Sequence, residues 1–313
     1  MEKLFVSSSP HIRSKTSTST IMLDVIIALI PALIAGIYYF GFRAAIVTSV
    51  SVITCLLSEY IWQKICKKKT TVSDLSAVVT GMLLALNLPV SIPLWQVVFG
   101  GIFAINITKQ LFGGIGHNFI NPALAARAFL MASWPASMTK FTAPFTTDAV
   151  SSATVLQNLK NGSVNTLSLT DMFMGNMGGC IGETCAAALI LGGLYLILRK
   201  VISVRIPLFY IGTVFIFMLI ASSFDTTYAL THILSGSLFL GAIFMATDYV
   251  TSPVTAAGQI VFAIGCGLIT CIIRLYGGYA EGVSYSIMLM NIVTPLIDRF
   301  IKPRKYGEVA KHA

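Results

Sequence analysis

The feature that most limits what this chain can become is a recurrence of apolar runs long enough to cross a bilayer. They fall at about 21–41, 44–63, 75–90, 93–112, 119–134, 177–198, 206–223, 230–247, 257–276 and 284–301. About 20 apolar residues in a helix span a hydrocarbon core of about 30 Å. A helix also satisfies its own backbone where no water can. The chain is 56% hydrophobic and only 11% charged, with mean hydropathy +0.83. Soluble domains carry about 25% charged residues, so this composition leaves too little polar surface to face water. The expected fold is an all-α polytopic membrane protein with about ten transmembrane helices.

An even number of crossings puts both termini on one side, and charge selects the side. With residues 1–20 inside, the inner segments hold Lys3, Arg13, Lys15, Lys64, Lys67, Lys68, Lys69, Arg199, Lys200, Arg205, Arg299, Lys302, Arg304, Lys305 and Lys311. The outer segments hold only Arg43, Lys140, Lys160 and Arg274. Basic residues mark cytoplasmic loops, so both termini are expected in the cytoplasm and the long 135–176 loop outside it. Trp62 then falls at an inner helix end, and Trp95 and Trp134 at outer ends, where indole rings prefer to lie. The net charge of +9 is explained by these loops and does not argue for nucleic acid. The polar first 20 residues and the long apolar run after them do not read as a cleaved signal peptide.

The organisation expected is a cytoplasmic segment 1–20, a five-helix half 21–134, the outer loop 135–176, a second half 177–301 and a tail 302–313. The halves share an order of marks. Thr80-Gly81, Pro93, Gly113-Gly114 and Asn121-Pro122 are matched by Ser235-Gly236, Pro253, Gly277-Gly278 and Asn291 with Pro295. Matching helices would run in opposite senses, giving a 5+5 inverted repeat, an arrangement that places ligand sites near helices interrupted by Gly or Pro.

Two segments read as interruptions, Gly113–Pro122 and Met245–Pro253, one rich in amides and the other in hydroxyls. Turns capped by Asn and Asp are one reading of them, and a ligand site is the other. Ionisable residues near membrane depth are Asp24, Glu59, Lys109, Arg127, Glu183, Asp248 and Arg274. Each is a functional candidate or a residue reaching the interface. Asp24, Glu59, Lys109 and Asp248 lie near predicted helix ends and are expected to snorkel. Glu183, behind Gly178-Gly179 and Gly182, lies about two turns inside its predicted helix. It either lines an ion or cofactor path or pairs structurally. The six cysteines contain no Cys-x-x-Cys pair; Cys180/Cys185 and Cys266/Cys271 are expected on different helix faces, as packing residues.

The longest polar interval contains Asp148-Ala149-Val150-Ser151-Ser152-Ala153-Thr154. Its small side chains leave the backbone open to close approach. Thr154 offers a hydroxyl that becomes a nucleophile only when something else activates it. No Gly-x-Gly-x-x-Gly opens a helix after a strand, so a nicotinamide nucleotide is not expected on this chain. No cysteine spacing suggests an iron–sulfur cluster.

The Gly116–Ala123 segment, the Asp148–Thr154 string, Gly182-Glu183 and Met245–Pro253, in this order, resemble one membrane family. It comprises the D subunits of Rnf electron transport complexes and the B subunits of sodium-pumping NADH:quinone oxidoreductases. Glycine is commoner in the family where this chain has Ser152, but the spacing is kept. The early start of the first apolar run resembles the Rnf branch, since the quinone-reducing branch carries a longer N-terminal extension. The resemblance implies FMN joined to Thr154 through a phosphoester, with Asp148, Ser151, Ser152 and Ala153 read by a flavin transferase. It implies a second, noncovalent flavin of the riboflavin type, near Asn118, Asn121, Thr247, Asp248 and Thr251. It further implies a subunit of a ferredoxin:NAD⁺ oxidoreductase coupled to Na⁺ or H⁺, in a prokaryotic cytoplasmic membrane, with no complete active site on this chain. Partners of the A, B, C, E and G type would include a second covalent-FMN subunit, with ferredoxin and NAD bound elsewhere in the complex. A quinone-reductase-type subunit and a non-redox solute transporter or channel are the alternatives.

Overall fold

The computed structural model describes residues 17–145, 151–162 and 168–302. Helices dominate. In chain order they are α1 (Thr18–Phe40), α2 (Phe42–Ile65), α3 (Ser76–Leu86), α4 (Leu94–Ile102) running on as a π-helix through Phe103–Gln110, and α5 (Pro122–Ser133). The short α6 (Pro135–Met138), α7 (Val155–Lys160) and α8 (Leu169–Met174) follow. The second half holds α9 (Ala186–Leu198), α10 (Arg205–Ala221), α11 (Thr226–Leu234), α12 (Leu238–Leu240) with π-helical Gly241–Met245, α13 (Ala256–Tyr276) and α14 (Val283–Phe300).

Three helices, α1, α2 and α13, are long and apolar enough to cross a membrane unaided. A fourth span forms if α11 and the Leu238–Met245 segment are taken together, bent by 64°. The chain is thus a multi-pass membrane protein, and several apolar runs are realised as interrupted helices. The 75–90 run is helical only to Leu86, the 177–198 run only from Ala186, and the 230–247 run breaks at Ser235-Gly236-Ser237. Cys180 therefore lies in irregular chain and Cys185 is the residue preceding α9, so the expected helical relation of this pair does not hold. Cys266 and Cys271 do share α13, both buried.

Broken helices survive at depth only when their freed backbone groups find partners. Here two breaks serve each other: the Ile181 and Gly182 N–H groups donate to the Leu88 and Leu86 carbonyls at 3.1 and 2.8 Å. Glycine makes that approach possible, because a Cβ on Gly182 would lie 2.5 Å from Leu86 Cβ. The α11–α12 break is served by charged side chains. Arg274 donates to the carbonyls of His232 and Ser235, and Glu281 accepts from the N–H and hydroxyl of Ser237.

Packing follows one scheme in each half. α2 lies against α3 and α4, and α10 against α11 and α13; α1 meets α9, and α5 meets α14. Segment ends group into two sets. In one, Arg43 Nε reaches the Val90 carbonyl (2.9 Å), Ser91 Oγ the Lys140 carbonyl (2.6 Å), and the Trp95 and Trp134 rings meet at 5.1 Å. In the other, Arg199 pairs with Asp24 at 3.3 Å, Ser203 Oγ donates to Gln259, and Asp298 accepts from the Val254 N–H.

The 135–176 interval is a small layer with its own structure, in which β1 (Phe141–Thr142) pairs antiparallel with β2 (Ser151–Ser152), Thr142 opposite Ser151. Asp148 lies outside the described residues. Val155, Met172 and Met177 bury one another against Leu159, Leu169 and Leu234, seating α7 and α8 on α11. Lys160 Nζ donates to the carbonyls of Gly277 and Tyr279, fastening the layer to the α13–α14 turn.

Candidate functional site

Two cavities with polar walls open in the helical body. The first, of about 150 Å³, lies under the 135–176 layer. Thr154 forms part of its wall, with Phe141, Tyr279 and Tyr285 as aromatic surfaces and Arg127, Glu183 and Glu281 as charged ones. Thr154 is half-buried and caps α7, its Oγ1 accepting from the Gln157 N–H at 3.3 Å. An N-cap threonine holds extended backbone geometry, here directly after β2, so hairpin and cap together fix where the hydroxyl stands. Ala153 beside it is exposed.

Arg127 is the hub of this cavity. It projects from α5 and is 4% exposed. One guanidinium nitrogen donates to Asn87 Oδ1 (2.9 Å), Ser284 Oγ (3.0 Å) and Ser237 Oγ (3.3 Å). The other meets Glu183 Oε1 at 3.1 Å and pairs with Glu281. Two carboxylates thus share one guanidinium, a planar fork suited to such pairing. Burial raises the Glu281 carboxyl pKa, but Arg127, the Ser237 donors and Arg274 outweigh it and hold the group below its ordinary value.

Glu183, expected about two turns inside a helix, lies instead in the irregular chain before α9, because the glycine-rich 178–182 path bonds to the Leu86 and Leu88 carbonyls. It is buried against Arg127 and stands in the cavity wall. Glu281 and Asn87 go unnoticed in the sequence. Glu281 follows Gly277-Gly278 in a short polar turn, and only its neighbourhood in space brings it to Arg127.

Gly236 sits where cavity, break and layer meet. Its φ of +74° suits glycine, and a Cβ there would lie 2.8 Å from Leu156 Cδ1, 3.2 Å from Arg274 and 3.4 Å from Glu281.

The second cavity, of about 120 Å³, lies toward the other set of ends. Asn118, Asn121, Thr247 and Asp248 line it together, with Lys109 and Ser76; Thr251 is buried nearby but is not part of its wall. Turn and cap roles occupy much of this group. Asn121 Oδ1 caps α5 by accepting from Ala123 N–H (3.0 Å), Asp248 accepts from Val250 N–H and the Thr251 hydroxyl, and Thr247 donates to the Ile243 carbonyl. Burial raises the Asp248 carboxyl pKa above its ordinary value, against opposing hydrogen bonds.

Glu59 and Lys109 do not snorkel. Glu59 is fully buried and Lys109 is 3% exposed, paired at 2.9 Å. Lys109 Nζ also donates to Ser76, while Glu59 Oε1 accepts from Gln63, Gln110 and Thr71. Their positions near helix ends suggest exposure, but the π-helical stretch and the α2–α3 connection cover them. Asp24 is buried too, 6% exposed, and meets the exposed Arg199 and the Tyr195 hydroxyl from inside α1.

The donor set of the first cavity fits the flavin that the resemblance implies: a half-buried hydroxyl for a phosphoester and aromatic walls for a planar ring. Among the described residues, no cluster of His, Cys, Asp and Glu could hold a metal ion.

Comparison with known proteins adds to this geometry. A model of the NQR2, RnfD, RnfE family matches residues 5–307. The chain is 57% identical to the D subunit of the Na⁺-translocating ferredoxin:NAD⁺ oxidoreductase complex of Acetobacterium woodii, covering 97% of this chain and 95% of the relative. It is 46% identical to the D subunit of the proton-translocating ferredoxin:NAD⁺ oxidoreductase complex of Clostridium ljungdahlii, over 96% of each. It is 36% identical to the D subunit of the ion-translocating oxidoreductase complex of Stutzerimonas stutzeri, over 95% and 94%.

Proposed function

The chain belongs to the NQR2, RnfD, RnfE family, and from that premise we propose that it is the D subunit of an ion-translocating ferredoxin:NAD⁺ oxidoreductase. It carries FMN on Thr154 and passes electrons within a membrane complex while Na⁺ or H⁺ moves. The observation that carries this reading is the meeting of Thr154 with Arg127, Glu183 and Glu281 around one cavity. Bound there, the flavin would supply the redox chemistry. The chain's own residues hold it: Thr154 anchors it, Phe141, Tyr279 and Tyr285 offer faces for its ring, and the Arg127 cluster sets the charge beneath it. Glu183 and Glu281 share Arg127, so a proton or cation gained at either is felt by both.

The arrangement is a ten-crossing, 5+5 inverted repeat with both termini cytoplasmic. The parallel packing of α2 with α3 and α4, and of α10 with α11 and α13, supports the repeat. The grouping of segment ends into two sets supports a two-sided arrangement, and the basic residues supply the assignment of sides. The second cavity holds the noncovalent flavin, beside Asn118, Asn121, Thr247 and Asp248. The A, B, C, E and G type subunits supply the ferredoxin and NAD sites and the second covalent FMN. A flavin transferase outside the cytoplasm matures Thr154.

A phosphoester survives denaturation, whereas noncovalent flavin leaves with the fold. The wild-type chain made with its transferase should fluoresce on a denaturing gel, and the peptide bearing Thr154 should carry the mass of FMN. Thr154→Val should be dark while Ser151→Ala and Ser152→Ala stay bright; Asp148→Ala should be dimmer. A bright Thr154→Val band would assign the flavin to another residue. Reporter fusions at Lys160 and Lys68 should score on opposite sides, and agreement between them would overturn the topology.

A further inference from the structure

A third concavity has no polar chemistry and belongs to neither site. It is a lateral apolar groove of about 510 Å³ between α9 and α10, walled by Leu194, Ile197, Val204, Leu208, Ile211 and Phe215. α9 packs on α1, and α10 packs on α11 and α13, which leaves the space between α9 and α10 unfilled. Gly212 borders open space in its wall, since a Cβ there would meet nothing within 4 Å. From Val204 to Phe215 the wall rises about 16 Å along α10. That is about one leaflet of a hydrocarbon core of about 30 Å.

Two cations lie in the chain beside lining residues of the groove, Lys200 three residues after Ile197 and Arg205 next to Val204. Lys200 and Arg205, in the 199–204 turn and at the start of α10, are exposed, and among the described residues neither makes an ion pair. Arg199 beside them differs, being engaged with Asp24. Val204 provides no side-chain cap for the start of this 17-residue helix, whose dipole adds positive charge near Arg205. An apolar slot one leaflet deep, with unpaired positive charge beside its lining residues, complements a molecule with an apolar tail and an anionic head.

We infer that this groove binds one anionic diacyl phospholipid, an acyl chain lying along α10 and the phosphate held by Lys200 and Arg205. Charge complementarity selects a lipid over a transmembrane helix of a partner, which would leave both cations unmatched. The assignment is independent of the flavin sites.

The test uses the protein purified in mild detergent with the subunits that accompany it, stripped of lipid and titrated with phosphatidylglycerol or phosphatidylcholine. Native mass spectrometry counts the bound lipid, and a photoactivatable phosphatidylglycerol maps its contacts. One phosphatidylglycerol should be retained and should label the 190–215 region. The Lys200→Gln, Arg205→Gln double variant should weaken its binding about 30-fold, about fivefold for each cation. Gly212→Trp should block the acyl slot with the cations intact, and unchanged helical content would show that this variant folds. Equal retention of phosphatidylcholine, unchanged binding in both variants, or crosslinking of the groove to another subunit would each overturn the proposal.

Discussion

The two polar cavities are each backed by a buried cation, and the company those cations keep differs. Lys109 has one acid, Glu59, and the two sit in a closed network with Ser76, Gln63, Gln110 and Thr71. Arg127 has two acids, Glu183 and Glu281, both in the wall of the cavity that Thr154 also lines. Arg274 is near enough to act on Glu281 electrostatically but directs its hydrogen bonds to carbonyls at the helix break. A one-to-one pair with every oxygen engaged favours a single arrangement. Two acids sharing one guanidinium can redistribute when charge arrives, so burial alone does not distinguish a structural pair from a responsive one.

The largest effect should come from removing either cation. Arg127→Met and Lys109→Met each leave buried carboxylate uncompensated, a loss of about 3–5 kcal/mol. The comparison is decided by repair. Lys109→Met with Glu59→Gln removes both charges and keeps an acceptor for the neighbouring amides, so chemical unfolding in detergent should show most of the stability restored. Arg127→Met with Glu183→Gln should remain low, because Glu281 is still charged and unpaired. Equal repair of both would erase the distinction.

A smaller effect on stability, with a larger one on activity, is expected from Glu183→Gln. Glu281 continues to pair Arg127, so stability should fall by about 1 kcal/mol. Ion-coupled turnover of the complex should fall severalfold, with covalent flavin content normal. Loss of assembly in its place would make Glu183 a structural residue like Glu59.

The smallest test concerns the second cavity. Burial raises the Asp248 carboxyl pKa in the folded state. A carboxyl raised on folding contributes stability at low pH that is lost as pH rises through its folded value. Asp248→Asn should therefore melt about 1 °C above wild type at pH 8 and match it at pH 4. A lower midpoint at pH 8 would show that the charged form is stabilised there.

The membrane class is legible in the sequence because hydropathy over 20 residues is a local property. Thr154 stands out because its motif is contiguous. The interruptions are less visible: Gly178, Gly179 and Gly182 weaken a helix between 177 and 185 and Glu183 makes it less apolar, but the partners of the irregular path, the Leu86 and Leu88 carbonyls, come from a distant segment. Glu281 is hidden for the same reason, since its significance lies in Arg127, 154 residues away. Glu59 and Lys109 mislead because proximity to a helix end suggests proximity to water, whereas Ser76 and the following helix close over them.

Gly236 has a consequence for how disturbance travels. Leu156, two residues from Thr154, would be 2.8 Å from a methyl placed there, with Arg274 and Glu281 on the other side. The cap and the membrane interior are thus separated by the width of one absent methyl group. Load applied to the 135–176 layer has no cushion before it reaches the bent span. Gly236 is in effect a bearing surface, and its clearance sets how far the layer can settle before the charges beneath must move.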